Sequence, residues 1–176
     1  MIASGQNDNV ILAPLAYGGS EVARWAAGGD FNPLLVDTVK QLHDSGYRVT
    51  SVHWVQGEAD LVFGTTAEAY QERFLSMVGT LRQHGVEAPV YISIASKCLE
   101  PSNGGFKEHI PDNVIVQAQL ALSKSGHGIR EGVNSDALLD GDDRYDDCHF
   151  GGSAEEKVSQ AWLNLLRGDG RLESSR

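Results

Sequence analysis

The sequence has little cysteine, little positive charge and no long apolar run, and each shortage excludes a class of protein. Cysteine occurs only at Cys98 and Cys148, which is too few for a disulfide scaffold and lacks the close spacing of a zinc site. Each cysteine follows a predicted strand end or loop near the motifs discussed below. The sequence leaves open whether the two form a disulfide or stay as unpaired buried thiols.

Positive charge is scarce, since 14 Lys and Arg residues stand against 24 Asp and Glu, giving a net charge of −10. Nucleic acid and anionic membrane surfaces need a basic face, so neither is an expected partner. No stretch approaches the roughly 18 apolar residues of a membrane span, and no signal-peptide pattern opens the chain. We expect a soluble protein whose compartment, secreted, periplasmic or cytoplasmic, is undecided because any signal would precede residue 1.

The length and the apolar content predict one globular domain. A chain of 176 residues with 41% hydrophobic residues can bury a substantial core. We therefore expect a single domain over residues 1–176, with a frayed polar tail at 168–176.

Apolar periodicity predicts strands that alternate with helices. The predicted strands are 10–16, 49–55 and 90–94, and the predicted helices are 34–43, 67–84, 114–122 and 154–166. Segments 99–112 and 125–145 have turn composition and are predicted to be long loops. Alternation of this kind predicts an α/β fold, with a parallel sheet covered by helices on both faces. Ligands of such sheets bind beyond the carboxyl ends of the strands.

The segment DDCHF contains Asp146 and His149 at a spacing of three residues. This spacing lets the carboxylate contact the imidazole Nδ1, which fixes the tautomer and leaves Nε2 free to accept a proton from a nucleophile. The alternative is that Asp146 only caps the following helix. The pair therefore predicts a general base with its orienting carboxylate.

Two glycine-containing motifs follow predicted strands at the same edge of the sheet. They are Gly18, Gly19 and Ser20 after the first strand, and Gln56, Gly57 and Glu58 after the second. Glycines let the backbone approach a ligand, and the Gln56 amide has donors for a developing oxyanion. Such donors are parts of an acyl-transfer site. The alternative is that the glycines only form turns.

No serine stands out as the nucleophile. Ser20 lacks the flanking pattern of G-x-S-x-G, and Ser4 precedes the first predicted strand, which would place it at the opposite sheet edge. Arg24 is a candidate to bind a carboxylate or to pair with an acidic neighbour. Trp25 is a candidate to stack on a sugar ring or to lie in the core.

A metal site is the less favoured alternative for the same region. It would recruit His53, Glu58, His149 and Asp146. No two of the histidines have the close spacing of a ligand pair, so we expect no metal.

Three blocks together resemble one known family. AYGGSEVARW (16–25), WVQGEAD (54–60) and DRYDDCHFGGSAEE (143–156) resemble the sialic-acid and carbohydrate acetylesterase branch of the SGNH-type serine esterases. The blocks occur in consistent order over nearly the whole chain. The resemblance implies a flavodoxin-like three-layer α/β/α fold and hydrolysis of acetyl esters, often on sugars, without a metal or organic cofactor.

The resemblance also implies roles for individual residues. His149 would be the general base and Asp146 its orienter, Gly19 and Gln56 would contribute to the oxyanion hole, and Glu58 would support that loop. The family's nucleophile lies in a Gly-Gln-Ser-Asn block after its first strand, upstream of the segment matched here. Gly5-Gln6-Asn7 lacks the serine of that block.

The missing block leads to two further expectations. The chain is expected to lack the first strand and helix of the fold, either as a fragment or a late-assigned start or as a natural variant. The serine would then be supplied upstream of residue 1. The incomplete sheet would expose apolar surface and favour self-association. The alternative function is a catalytically inactive carbohydrate-binding or interaction module that uses the same cleft.

Overall fold

A computed structural model describes residues 9–98, 101–102, 105–106, 113–146 and 148–168. The helices are α1 (Asn32–Asp44), α2 (Glu58–Val62), α3 (Ala67–Gln83), α4 (Val114–Ser123), α5 (Ser135–Leu138) and α6 (Gly152–Gly168), with 3-10 helices at Val22–Arg24 and Gly141–Asp143. The strands are β1 (Val52–Trp54), β2 (Val90–Ile94), β3 (Pro101–Ser102), β4 (Gly105–Phe106) and β5 (Ile129–Asn134).

The main sheet is parallel, with strand order β1-β2-β5, while β3 and β4 form a separate antiparallel pair. Val90 and Ile92 belong to a core cluster with residues of α3 and α4, whereas Tyr91 between them packs with Leu166 and Trp162 of α6. Side chains of a strand alternate between the two faces of a sheet. The fold is therefore a three-layer α/β/α arrangement, as predicted.

The helices on the larger core face follow from apolar spacing and capping residues. α3 buries Tyr70, Phe74 and Leu81 on one face. The Thr66 side chain accepts a hydrogen bond from an amide in the first turn of α3, and the Asn113 side chain does the same for α4. Such caps satisfy backbone donors that have no partner within the helix. The predicted helices near 34–43, 67–84, 114–122 and 154–166 are all present.

The predicted first strand is wrong, because residues 10–16 have no regular secondary structure. Ile11 and Leu12 are 56% and 78% exposed. An apolar run becomes a strand only where a neighbouring strand accepts and donates its backbone hydrogen bonds. The described residues supply no such neighbour for this segment. The predictions for 49–55 and 90–94 are confirmed by β1 and β2, although β1 is shorter.

The predicted loop 125–145 is also wrong, because it contains β5, α5 and a 3-10 helix. β5 reads IREGVN and does not alternate, since adjacent residues Arg130 and Glu131 are both exposed. Gly132 permits close packing of α6, as a Cβ there would lie 2.9 Å from the Trp162 ring. The strand is thus specified by its neighbours β2 and α6.

Several predicted segments fall outside the described residues. The predicted loop 99–112 is described only at β3 and β4. α6 ends at Gly168, and the rest of the predicted tail lies beyond the described part, as do residues 1–8. Within the described ranges, no helix is long and apolar enough to cross a membrane.

We propose that the chain self-associates through the open side of β1. In the described part of the chain β1 pairs only with β2, and Val55, which follows β1, is 44% exposed. An unpaired edge beside exposed apolar side chains favours association. Val55→Lys should reduce the concentration-dependent rise in sedimentation coefficient, whereas Val114→Lys, at a similarly exposed site on α4, should not. A concentration-independent monomer would contradict the proposal.

Candidate active site

The carboxyl ends of the three parallel strands lie at the same edge of the sheet. Gln56 follows β1, Ser96 follows β2 and Asp136 follows β5. The Asp136 carboxylate accepts hydrogen bonds from the Ser96 amide, at 3.0 Å and 3.1 Å, and from the Lys97 amide at 3.1 Å. These contacts fix the loop after β2 against the end of β5. This edge is where open α/β sheets bind ligands.

Asp146 and His149 form the predicted contact in the loop that precedes α6. His149 Nδ1 lies 2.7 Å from Asp146 Oδ2, while Asp146 Oδ1 accepts the backbone N–H of Cys148 at 3.2 Å and of His149 at 2.7 Å. The His149 amide and then its ring hold the pKa of the Asp146 carboxyl below its usual value. An ionised Asp146 favours a proton on Nδ1, which leaves Nε2 as the acceptor.

Asp146 does not cap α6, which was the alternative role predicted for it. Its carboxylate caps its own turn, whereas α6 begins later, at Gly152. The predicted contact with His149 is therefore confirmed. The catalytic roles of the two residues stay predictions, and Asp147 lies outside the described residues.

The loop that carries His149 is held by three further contacts. Arg144 and Phe150 form an antiparallel backbone bridge, and the Arg144 guanidinium donates to the Cys148 carbonyl. Cys148 is disulfide-bonded to Cys98, which follows β2. Of the two states that the sequence left open for the cysteines, the structure has the disulfide. It joins the His149 loop covalently to the carboxyl end of the central strand.

A buried carboxylate fixes the base of the same loop. The Asp143 carboxylate accepts hydrogen bonds from Lys157 Nζ at 2.8 Å and 2.9 Å and from the Ser153 hydroxyl at 2.9 Å. The contact with Lys157 contributes most to lowering the pKa of Asp143 to about 2. This cluster attaches the loop to the first turns of α6.

The Gln56 side chain is not a free donor, which differs from the expectation for an oxyanion hole. Its Nε2 donates to the Ser20 carbonyl at 3.0 Å and to Asp60 Oδ2 at 2.6 Å. The buried Asp60 carboxylate is a strong acceptor, and hydrogen bonds to ionised groups are the stronger class. In this structure Gln56 holds the 18–20 loop against the end of β1.

Asp60, the last residue of WVQGEAD, is central to this network. It is fully buried, and Oδ2 also accepts the Val22 amide at 2.8 Å, while Oδ1 has no described partner. Three segments therefore meet at one carboxylate. Of its two partners, Gln56 lies four residues earlier in WVQGEAD, whereas Val22 comes from a separate segment that the motif does not indicate.

Gln119 of α4 is a second residue that the sequence interpretation missed. Its amide donates to the carbonyls of Gln56 and Ala95, and its Oε1 accepts the Ala95 amide. Gly57 fits beside them because a Cβ there would lie 2.1 Å from the Ala95 oxygen. A signal existed, since Gln119 is a polar residue on the buried face of an otherwise apolar helix.

Glu58 begins α2 and is partly buried. Its Oε2 accepts the Gly57 amide at 3.0 Å, so that this amide is also occupied. Burial raises the pKa of Glu58, as does the charge of Asp136, while backbone N–H groups and the charge of Arg144 act in the opposite direction. Arg144 thus links Glu58 electrostatically to the His149 loop.

Ser20 and Trp25 are core residues in this structure, which for Trp25 was one of its two predicted roles. Both are buried, and Trp25 Nε1 donates to Ser20 Oγ at 3.0 Å. The Trp25 ring packs edge-on against Trp54 with centroids 6.2 Å apart. Burial removes the Ser20 hydroxyl and the Trp25 ring from contact with a ligand. Gly18 and Gly19, in contrast, form an exposed turn whose amides have no partner among the described residues.

Arg24 pairs with an acidic neighbour, which was one of its two predicted roles. Its guanidinium contacts the Asp30 carboxylate at 2.5 Å and lies 3.9 Å over the Phe31 ring. The hydrogen bond to Asp30 raises the pKa of Arg24 and lowers that of Asp30. A ligand carboxylate would have to displace Asp30.

The structure brings two of the three predicted motifs into direct contact. Gln56 bonds the 18–20 loop, whereas no hydrogen bond among the described residues joins His149 to either motif. His53 packs instead against Trp162, with ring centroids 4.4 Å apart. Among the described residues, no three His, Cys, Asp or Glu side chains cluster as metal ligands.

The His149–Asp146 contact has the geometry that orients a histidine general base, and it lies in a parallel α/β fold. The family model described as carbohydrate esterase, sialic acid-specific acetylesterase, matches residues 1–165, and the chain belongs to this family. A protein of Arabidopsis thaliana named a probable carbohydrate esterase is 27% identical over 118 residues, which cover 65% of this chain and 41% of that protein. No solved structure matches. The predicted family is confirmed.

The Asp143–Lys157 contact predicts a specific loss of stability in acid. The folded-state pKa of Asp143 is about 2, below the usual value of about 3.9. The stabilisation is thus complete above about pH 4 and is lost as pH falls towards 2. Asp143→Asn should lower the urea midpoint at pH 6 and make no difference near pH 2. The exposed control Asp142→Asn should change neither midpoint, and a constant effect of Asp143→Asn at all pH values would contradict the prediction.

Because of the disulfide, we expect no free thiol to be titrated in the denatured, unreduced protein. Because the bridged cysteines are 50 residues apart, reduction should lower the free energy of unfolding by about 2–4 kcal/mol. The Cys98→Ser/Cys148→Ser variant should show the reduced stability with and without reductant. Two reactive thiols in the unreduced protein would contradict the assignment.

Proposed function

We propose that this chain hydrolyses acetyl or other short acyl esters of carbohydrates by a serine esterase mechanism. The observation that supports it is the 2.7 Å contact between His149 Nδ1 and Asp146 Oδ2. This contact sets the imidazole tautomer that a general base requires. Membership in the carbohydrate esterase family supports the choice of substrate.

The mechanism has two steps. A serine Oγ attacks the ester carbonyl carbon while His149 Nε2 accepts the hydroxyl proton, and the sugar alcohol leaves with that proton. Water then attacks the acyl-enzyme, His149 accepts the water proton, and acetate and the free serine are released. Asp146 remains ionised throughout and stabilises the imidazolium.

We propose that the serine is supplied by sequence upstream of residue 1. In the described part of the chain no serine hydroxyl is bonded to His149, and Ser20 is engaged with Trp25. Ser4 lies outside the described residues. The argument that placed Ser4 at the far sheet edge depended on a strand at 10–16, which is not formed.

The remaining roles follow from the contacts at the sheet edge. The exposed Gly19 amide is the proposed oxyanion donor. Gln56, through Ser20 and Asp60, positions the turn that carries this amide. Glu58 fixes the Gly57 amide and so supports the same loop. We propose no metal or organic cofactor, because acyl transfer of this kind requires neither.

Hydrolysis of p-nitrophenyl acetate tests the proposal in the protein that includes the sequence upstream of residue 1, because the 176-residue chain alone would lack the proposed nucleophile. His149→Ala should lower kcat/KM by about 10²-fold or more, since general-base catalysis contributes 10²–10⁴-fold. His43→Ala, at a histidine whose side chain is 88% exposed on α1, is the control and should have no effect. Equal activity of wild type and His149→Ala would show that His149 is not the base.

A fluorophosphonate probe, applied to the same longer protein, locates the nucleophile independently of turnover. Mass spectrometry of the labelled protein should show no modified serine within residues 9–168, and Ser20→Ala should leave labelling unchanged. A label on Ser20 or Ser4 would contradict the upstream serine while leaving the roles of His149 and Asp146 intact. Sugar binding without label or turnover would instead favour the inactive binding module.

A further inference from the structure

Tyr145 is the most exposed aromatic residue of the described part of the chain, and it lies in the loop that carries His149. It is 73% exposed. A single exposed aromatic side chain is ordinary on a protein surface, so its position beside His149 is what distinguishes Tyr145 from the others. Arg144, Asp146 and Cys148 of the same loop all form hydrogen bonds that hold the loop. The Tyr145 ring is instead largely exposed to solvent.

The backbone places the Tyr145 ring next to the imidazole. The bridge between Arg144 and Phe150 pairs the two sides of the loop, and the Tyr145 amide donates to the His149 carbonyl at 3.2 Å. Tyr145 and His149 are therefore opposite each other. Their ring centroids are 5.8 Å apart and the ring planes differ by 20°.

The loop presents this pair of rings on a fixed base. The disulfide from Cys148 to Cys98 and the Arg144–Cys148 hydrogen bond restrain the loop. A rigid aromatic side chain loses little conformational entropy when it binds a ligand. Tyr145 thus has the properties of a preformed platform.

The chemistry of the platform suits a sugar ring. The C–H groups on one face of a pyranose pack against the negative face of an aromatic ring, and the phenol hydroxyl can hydrogen-bond a ring substituent. The carboxylate beside it, Asp146, is already occupied by His149 and backbone amides.

We propose that Tyr145 stacks on the pyranose ring of the ester substrate and so selects carbohydrate esters over esters of open-chain alcohols. This inference rests on the proposed function and deepens it. The sugar binds on the exposed surface of the Tyr145 ring, with its ester substituent beside His149. Tyr145 then affects substrate affinity, while the proton transfer is left to His149.

Equilibrium binding to the 176-residue chain tests the platform without requiring turnover. The probes are methyl 6-O-acetyl-glucopyranoside and glycerol monoacetate, which lacks the sugar ring, and saturation-transfer NMR gives the dissociation constants. Tyr145→Ala should weaken binding of the sugar acetate about tenfold, which corresponds to about 1.4 kcal/mol. Tyr145→Phe should keep most of the affinity, and glycerol monoacetate should bind equally to all forms.

The matched control is Tyr47→Ala, which removes a tyrosine that is 52% exposed and lies just beyond α1. It should not change either dissociation constant. Three outcomes would overturn the platform. Tyr145→Ala could weaken the binding of both probes equally, or it could leave the affinity for the sugar acetate unchanged. The wild type could also fail to bind the sugar acetate up to its solubility limit. If His149→Ala has no effect on hydrolysis but sugar binding is present and depends on Tyr145, the proposed hydrolysis is wrong and the sugar platform stands.

Discussion

The buried carboxylate of Asp60 is the group on which the arrangement of the sheet edge depends. A buried polar group is stabilised by hydrogen bonds, and Asp60 Oδ2 accepts them from the Val22 amide and from Gln56. Gln56 in turn holds Ser20, and its carbonyl is held by Gln119. One acceptor therefore fixes the relative positions of the 18–20 turn, the end of β1 and α4. Partial loss of such a network would leave buried polar groups unsatisfied, which is costly.

The loop of the histidine is organised by a different principle. Its contacts are short in sequence, from Asp146 to His149 and from Arg144 to Cys148. The disulfide to Cys98 connects this loop to the segment that follows β2. The site thus has two parts. The Asp60–Gln56 network holds one, the His149 loop is held mainly by its own contacts, and the segment after β2 joins them.

This division explains how much the sequence could predict. The contact of Asp146 with His149 was predictable because three residues of separation nearly determine it. Apolar periodicity likewise located α3 and β2. The contacts of Gln56 with Ser20 and Gln119 were not predictable, because these groups are brought together from separate segments.

The same limit applies to the strands. β5 lacks alternation and depends on β2 and α6 for its conformation, so periodicity could not find it. Segment 10–16 has the apolar composition of a strand and does not form one. Composition describes what a segment can bury, whereas a strand also requires a neighbour at hydrogen-bonding distance. The helices were easier because their hydrogen bonds are internal.

The bridge between Cys98 and Cys148 has a topological consequence. It closes a covalent ring that contains α4, β5 and α5. A single cleavage of the backbone anywhere inside that ring would leave two polypeptides that stay attached as one molecule. The segment with the imidazole would remain tethered to the central strand even if the peptide path between them were cut, so the two halves of the site need not be joined by an unbroken chain.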